Sequence, residues 1–164
     1  MLEIVRLAED RIPAVIGKGG RTKALIEKWT GVHLDISDVV RVEGEDPIMV
    51  LKAKDMVTAL GRGFSVKHVK RLLEEECGLH VISLGGEKPK KRERLLSRVI
   101  GNGGVVKKRI EEESGALVCV RGKTLSIIGK PEEMHPAEKA VEELLLGKTH
   151  AWAYKAMRMR KEKR

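Results

Sequence analysis

Residues 15–20 read Val-Ile-Gly-Lys-Gly-Gly, and residues 99–104 read Val-Ile-Gly-Asn-Gly-Gly. The similarity continues past the glycines at a constant offset of 84 positions, the distance from Gly17 to Gly101. Further identical pairs at this offset are Lys23 and Lys107, Ile26 and Ile110, Glu27 and Glu111, and Gly31 and Gly115. A repeat at a fixed offset indicates two copies of one structural unit. Each copy is therefore predicted to form its own small domain.

The repeat divides the chain into four predicted segments. They are a first domain at residues 1–63, a connecting helix at 64–78, a second domain at 79–147 and a basic tail at 148–164. The connecting helix is predicted because apolar residues recur at helical spacing from Val66 to Leu73. Residues 85–94, GGEKPKKRER, are rich in glycine and basic residues, which predicts a flexible basic loop. The tail is predicted to be helical only in part.

The hydrophobic pattern of each copy predicts an α+β domain. In the first copy, residues 2–7 alternate as a strand, residues 12–16 form one apolar helical turn, and a helix from Thr22 ends at Gly31. Two strands follow, and Pro47 opens a last helix, as Pro131 does in the second copy. We therefore expect two domains, each with a three-stranded antiparallel sheet packed by three helices.

The charge balance favours a polyanionic partner. Lys and Arg number 33 against 24 Asp and Glu, which gives a formal net charge of +9. No apolar run approaches the roughly 18 residues of a membrane span, and the first residues lack the pattern of a signal peptide. Cys77 and Cys119 are isolated, which excludes a CxxC redox or zinc motif. A cytoplasmic protein without membrane association is expected.

Patterns that would indicate catalysis are missing from the sequence. Neither glycine motif carries the Lys-Ser/Thr pair of a nucleotide-binding P-loop. The five histidines lack metal-ligand spacing. We therefore expect a protein that is not an enzyme and that needs neither a metal nor a cofactor. Phe64 and Trp29 are predicted to lie in the core, whereas both packing and RNA contact stay open for Trp152 and Tyr154.

A glycine turn between two helices suits the binding of a nucleic-acid backbone. Glycines adopt tight conformations, and without Cβ atoms they let a phosphodiester chain approach the main chain. The next helix directs its free N–H groups at the phosphates. With VIGKGG and VIGNGG, the sequence resembles the KH family of type I topology, whose GXXG loop clamps about four nucleotides of single-stranded RNA. By this resemblance the RNA-binding residues are Ile16, Gly17, Lys18, Gly19, Gly20, Arg21 and Lys23, and Ile100, Gly101, Asn102, Gly103, Gly104, Lys107 and Lys108.

Motifs outside the glycine loops narrow the resemblance. These are the stretch Gly61-Arg62-Gly63-Phe64-Ser65, the stretch Gly122-Lys123-Thr124, and His150 followed by Tyr154. With them the chain resembles the two-KH small-subunit ribosome assembly factors of archaea, relatives of the eukaryotic partner-of-Nob-one protein. That resemblance implies binding to precursor small-subunit rRNA near its 3′ end. It also implies an adapter role toward a maturation endonuclease and other ribosome assembly proteins.

Two departures from the KH pattern leave alternatives open. Asn102 stands where a basic residue is common, and Lys23 and Lys107 occupy a position that is often aliphatic in the family. Each lysine is interpreted either as a basic addition to the RNA-binding face or as a solvated side chain. Two alternative functions remain: a KH-fold scaffold for protein interactions, and a KH protein that acts on other RNAs.

Overall fold

The computed structural model describes the secondary structure of residues 1–162 and the side chains of residues 1–159. The chain divides into two compact units, Met1–Glu75 and a second unit that begins at Glu76. Both units have the predicted α+β architecture, with one three-stranded antiparallel sheet each. The predicted fold class is therefore confirmed.

The first unit follows the predicted order of elements. They are β1 (Leu2–Val5), α1 (Ile12–Ile16), α2 (Arg21–Thr30), β2 (His33–Ile36), β3 (Val40–Glu43), α3 (Pro47–Gly61) and α4 (Val66–Val69). The strands pair antiparallel in the order β1-β3-β2. Along β3, Val40 and Val42 are buried and Arg41 is exposed, because successive side chains point to opposite faces of a sheet. The helices cover the apolar face.

The second unit repeats this arrangement and extends it. Its elements are β4 (Gly78–Ser83), α5 (Pro89–Ile100), α6 (Val105–Ser114), β5 (Leu117–Arg121), β6 (Thr124–Gly129), α7 (Pro131–Leu145) and α8 (His150–Glu162). The strand order is β4-β6-β5. Val99, Ile110, Ile127 and Val141 are fully buried in one apolar core between helices and sheet. Large side chains of this kind each contribute about 1.5–3 kcal/mol when they are fully buried.

The predicted basic loop at residues 85–94 is wrong over most of its length. The chain turns only briefly after β4, and α5 begins at Pro89, whose fixed φ suits the first position of a helix. Leu95, Leu96 and Val99 recur at helical spacing and are buried. They hold the helix against the core, so the basic residues before them lie on its exposed surface.

The connecting segment 64–78 is less helical than predicted. The helix α4 covers four residues and continues as a 3₁₀ turn, Lys70–Leu73. Glu74 is then extended, and Glu76 adopts a positive φ of 63°. The glutamates at 74–76 follow the end of this turn, and negative charge is unfavourable at a helix C-terminus. Phe64 is 5% exposed, so its predicted place in the core is confirmed, whereas Trp29 is only half-buried.

The predicted tail contains the helix α8, His150–Glu162, which packs on the second unit. Within α8, Ala153 is fully buried and Met157 is 2% exposed, and both belong to the core of the second unit. The predicted tail at 148–164 is thus helical from His150 to Glu162. Residues 163 and 164 of that predicted tail lie outside the described residues.

Polar contacts complete the attachment of α8. The Trp152 indole donates to Glu143 Oε2 at 2.8 Å, and the Arg109 guanidinium lies 3.9 Å from the centre of the Tyr154 ring. Hydrogen bonds from Lys139 and Trp152 lower the pKa of Glu143. Burial raises the pKa of Glu113, but hydrogen bonds from Arg158 and Arg109 outweigh it and lower that pKa overall. Both aromatic residues therefore contribute to the attachment of α8, Trp152 through this hydrogen bond although it is 49% exposed, and Tyr154 through its ring.

Replacing Met157 with Ala should destabilise the protein by about 2–4 kcal/mol, because it leaves a cavity in the core. The control is Met159→Ala on the same helix, where the side chain is 46% exposed and the cost should stay below about 0.5 kcal/mol. Urea denaturation measures both. Equal costs for the two variants would show that α8 does not pack as described.

The two carboxylates should make the attachment of α8 sensitive to acid. Their folded pKa values are lowered, so their contribution to stability is present above the unfolded value of about 4.3 and is lost as the pH falls through the folded value. The double variant Glu113→Gln/Glu143→Gln should be less stable than the parent at pH 6, and this difference should shrink below about pH 4.3. Trp152 fluorescence in a Trp29→Phe background reports the transition. A difference that is the same at pH 3 and pH 6 would contradict the assignment.

Candidate nucleic-acid interface

The two glycine loops have the same backbone conformation. Gly17 has φ 74° and ψ 173°, and Gly101 has φ 76° and ψ 176°. Gly19 and Gly103 follow in the left-handed region, with φ 62° and 64°. The last glycines of the loops, Gly20 and Gly104, are also left-handed, with φ 78° and 79°. The repeat seen in the sequence is therefore a repeat of local geometry.

The first glycine of each loop is required by close packing. A Cβ atom on Gly17 would lie 2.2 Å from Thr22 Oγ1, and one on Gly101 would lie 2.4 Å from Val106 Cγ2. Both distances are well below van der Waals contact. By contrast, no atom lies within 4 Å of a Cβ built on Gly19, Gly20, Gly103 or Gly104. The outer side of each loop is consequently open to a ligand.

The helices that follow the loops begin without a side-chain cap. Neither Gly20 before α2 nor Gly104 before α6 provides a side-chain cap. The first N–H of each helix, that of Arg21 or Val105, donates to a carbonyl of the preceding 3₁₀ turn, and the N–H groups that follow in the first turn have no side-chain cap. Their positive dipole end also favours an anion. These features suit a phosphate at each loop.

A glutamate at the same position in both repeats connects the helix after each loop to its sheet. Glu27 accepts a hydrogen bond from the Leu34 N–H at 3.1 Å, and Glu111 accepts one from the Val118 N–H at 3.0 Å. These contacts join α2 to β2 and α6 to β5. The identity of Glu27 and Glu111 across the repeat thus has a structural cause.

The predicted basic residues differ between the two loops. Lys18 and Arg21 are exposed and Lys23 is half-buried, and none of them forms an ion pair with the described residues. In the second loop Asn102 and Val105 replace the first two of these residues. Lys107 forms an ion pair with Glu111 at 3.2 Å, which reduces its charge toward a ligand. Lys108 is exposed.

The hydrophobic residue before each loop borders the open surface. Ile16 is 37% exposed. Ile100 lines a cleft of about 350 Å³ between α5 and the turn at Gly122, which we call the Gly122 cleft. Arg92 and Glu93 line its other end. A base could rest on the aliphatic part of this cleft while its phosphate lies at the glycine loop.

Further basic residues near the second loop lie on α5 and α8, two elements that the sequence did not connect with the glycine motif. Arg94 and Arg98 of α5 and His150 of α8 lie beside Gly101 and Asn102. Arg94 was assigned to a flexible loop and His150 to the tail. No periodic signal connected them with the glycine motif, because only the fold brings α8 next to α5.

The described residues contain neither a metal-binding cluster nor a membrane-spanning helix. No group of three or more His, Cys, Asp and Glu side chains there could hold a metal ion. Among the same residues, none of the helices has both the length and the apolar composition needed to cross a bilayer.

Comparison with protein families agrees with this geometry. A family model described as a eukaryotic type KH-domain (KH-domain type I) matches residues 79–162, and a KH-domain model matches residues 2–59. The chain belongs to the KH family. A KH domain-containing protein of Methanocaldococcus jannaschii is 38% identical over 170 residues, which cover 99% of this KH protein and 75% of the relative.

Solved structures of archaeal proteins share the whole two-domain fold. Dim2p from Pyrococcus horikoshii is 40% identical with a TM-score of 0.89, and the match covers 97% of this chain and 99% of Dim2p. A complex of a/eIF2alpha, aDim2p and rRNA from the same organism gives a TM-score of 0.92 at 40% identity, covering 100% of this chain and 96% of that one. A protein of unknown function from Aeropyrum pernix is 32% identical with a TM-score of 0.92, over 99% and 94% of the two chains. The predicted kinship with the two-KH archaeal proteins related to partner-of-Nob-one is confirmed.

The glycines of one loop should differ in their tolerance of a side chain. Gly103→Ala should cost about 1–2 kcal/mol, the penalty of a left-handed residue in open space. Gly101→Ala should cost more, because its φ and ψ are essentially restricted to glycine and its Cβ would collide with Val106. Urea denaturation of both variants tests this order. The reverse order would show that the close approach of α6 is not required.

Proposed function

We propose that this KH protein binds single-stranded RNA through both glycine loops. The observation that carries the proposal is the repeated open loop, in which two left-handed glycines leave space for a phosphodiester backbone in front of an uncapped helix. Such a site recognises the backbone through main-chain N–H groups and charge. The net charge of +9 supports the same partner.

Single-stranded RNA fits this site better than a duplex. The Gly122 cleft has an aliphatic border at Ile100 and Leu96, which suits an unstacked base whose edge is free. A duplex would hide those edges, and the KH loop contacts about four nucleotides of one strand. We therefore place the phosphates at the loops and the bases along α5 and its counterpart α1.

For the biological RNA we propose precursor small-subunit rRNA near its 3′ end. The complex that contains rRNA and the related aDim2p supports an rRNA ligand. By the same kinship we propose a role in small-subunit assembly as an adapter for a maturation endonuclease and other assembly proteins. The protein would act by binding and would leave the chemistry to its partners.

A second candidate function is a protein-binding platform formed by one of the two units. The related complex also contains a/eIF2alpha, which favours a protein partner beside RNA. The second loop has Asn102 and Val105 where the first loop has Lys18 and Arg21, so its own residues attract an anion less strongly. The two functions are compatible when each unit takes one ligand.

Charge reversal within each loop tests the contribution of each unit. Lys18→Asp/Gly19→Asp and Asn102→Asp/Gly103→Asp place negative charge where we expect phosphate. Each pair should weaken RNA binding by about tenfold or more, because it replaces attraction with repulsion. Fluorescence anisotropy with a labelled twelve-nucleotide RNA from the 3′ end of small-subunit rRNA, roughly the length for two four-nucleotide sites plus a gap, measures the change.

The controls use RNA of other sequence and the stability of each variant. A scrambled RNA separates sequence preference from general phosphate binding. Aspartate is tolerated in the left-handed region better than most residues, so the melting temperature should change little. Unchanged affinity for one pair would remove that unit from the RNA site and assign it to the protein-binding role.

A further inference from the structure

A larger cleft is lined by the second glycine loop itself. It has a volume of about 670 Å³ and is lined by Gly101, Asn102, Arg94, Arg98 and His150; we call it the His150 cleft. Arg94, Arg98 and Gly101 follow one another at helical spacing, so they share one side of α5. The Gly122 cleft lies on a different side of this helix, which carries Arg92 and Leu96. The two clefts meet at Ser97 and Ile100, which line both of them, but only the His150 cleft is lined by residues of the second glycine loop.

The two repeats carry their positive charges at different positions. At the offset of 84 positions, Lys18 corresponds to Asn102 and Arg21 to Val105, so both cations of the first loop are missing. At the same offset, Arg94 corresponds to Asp10 and Arg98 to Ala14. The second unit thus has its cations on α5, beside the His150 cleft. A ligand held by charge would extend into that cleft.

The three side chains of the cleft have different roles. Arg98 donates to the backbone carbonyls of Leu144 and Lys148, so its guanidinium joins α5 to the end of α7. His150 Nε2 lies 3.1 Å from the Arg98 carbonyl oxygen, which fixes the imidazole at the cleft wall. Arg94 is exposed and has no ion-pair or hydrogen-bond partner among the described residues. Its charge is therefore available to a ligand.

We propose that the His150 cleft binds the phosphate backbone of the RNA immediately beyond the nucleotides clamped by the second glycine loop. Arg94 contacts a phosphate, His150 donates or accepts a hydrogen bond at the same nucleotide, and Arg98 is a positioning residue. The inference rests on the proposed function and extends it, since it makes α8 part of the RNA-binding surface. An RNA that reaches the cleft gains charge-assisted contacts that a four-nucleotide RNA lacks.

The test isolates the second unit within the full chain. In the Lys18→Asp/Gly19→Asp background, which disables the first loop, the RNAs are randomised pools of about four and about eight nucleotides, one and two loop footprints. Arg94→Ala and His150→Ala should leave binding of the short pool unchanged. They should weaken binding of the long pool by about five- to tenfold. Arg94→Ala should also reduce the slope of log affinity against log salt by about 0.7, the value for one phosphate contact in a single strand.

Lys155→Ala provides the matched control. Lys155 is exposed on α8 and has no ion-pair partner among the described residues, but it does not line the cleft. The Lys155→Ala substitution removes one positive charge, as Arg94→Ala does, and should change the affinity for the long pool by less than about twofold. Because His150→Ala could loosen α8, His150→Gln and the melting temperature serve as a second check. The glutamine can keep a donor toward Arg98.

The outcomes separate this inference from the proposed function. If the background protein binds the long pool but Arg94→Ala and His150→Ala match Lys155→Ala, the inference is overturned and the proposed function stands. If the background protein binds neither pool, RNA binding by the second unit fails and the inference fails with it. An equal loss on both pools would place Arg94 at the loop itself and would also overturn the inference.

Discussion

The close contact between the first glycine of each loop and the helix that follows it determines the rest of the structure. Because Gly17 has no Cβ, Thr22 can pack directly against its backbone, and Val106 does the same at Gly101. This contact fixes the angle at which α2 and α6 leave their loops. The glutamates at 27 and 111 then attach those helices to β2 and β5. Loop, helix and sheet are thereby held as one rigid support for an open glycine turn.

The two units share this backbone support but differ in the charged side chains near the glycine loop. The first loop has free cations of its own, whereas the second has Asn102 and Val105 and an ion-paired Lys107. The helix before the second loop, α5, has twelve residues, whereas α1 has five. The longer helix provides positions for basic side chains beside the loop. The two units therefore share their loop geometry, while the second unit has Arg94 and Arg98 on α5 where the first unit has Asp10 and Ala14.

The sequence was sufficient for features that depend on local residue types. The glycines at 17–20 and 101–104, the helix-ending Gly31 and the helix-opening Pro47 and Pro131 each impose a backbone conformation that can be read directly. The repeat then located both loops and the predicted site residues within them. These signals need no knowledge of which parts of the chain meet in space.

The errors occurred where tertiary packing decides the structure. Residues 89–94 look like a flexible loop by composition, yet Leu95, Leu96 and Val99 anchor them to a helix whose apolar face is buried. For the tail, the sequence left packing and RNA contact open, whereas in the structure Ala153 and Met157 enter the core and Glu143 and Glu113 accept its polar contacts. The composition of a segment includes all of its residues, whereas the packing of a helix depends only on the residues of its apolar face. A segment with a basic composition can therefore still form a buried helix face.

The acidic residues of the second unit have a further consequence for its surface charge. Glu111 is bound to Lys107 and the Val118 N–H, Glu113 to two arginines, and Glu143 to Lys139 and Trp152. Carboxylates that are occupied in this way hold the helices together and contribute little repulsion toward an approaching polyanion. Arg94, which has no such partner among the described residues, keeps its full charge toward solvent. The ion pairs of Arg109 and Lys139 and the exposed charge of Arg94 thus belong to different side chains, so these pairs do not occupy the arginine that we assign to the RNA.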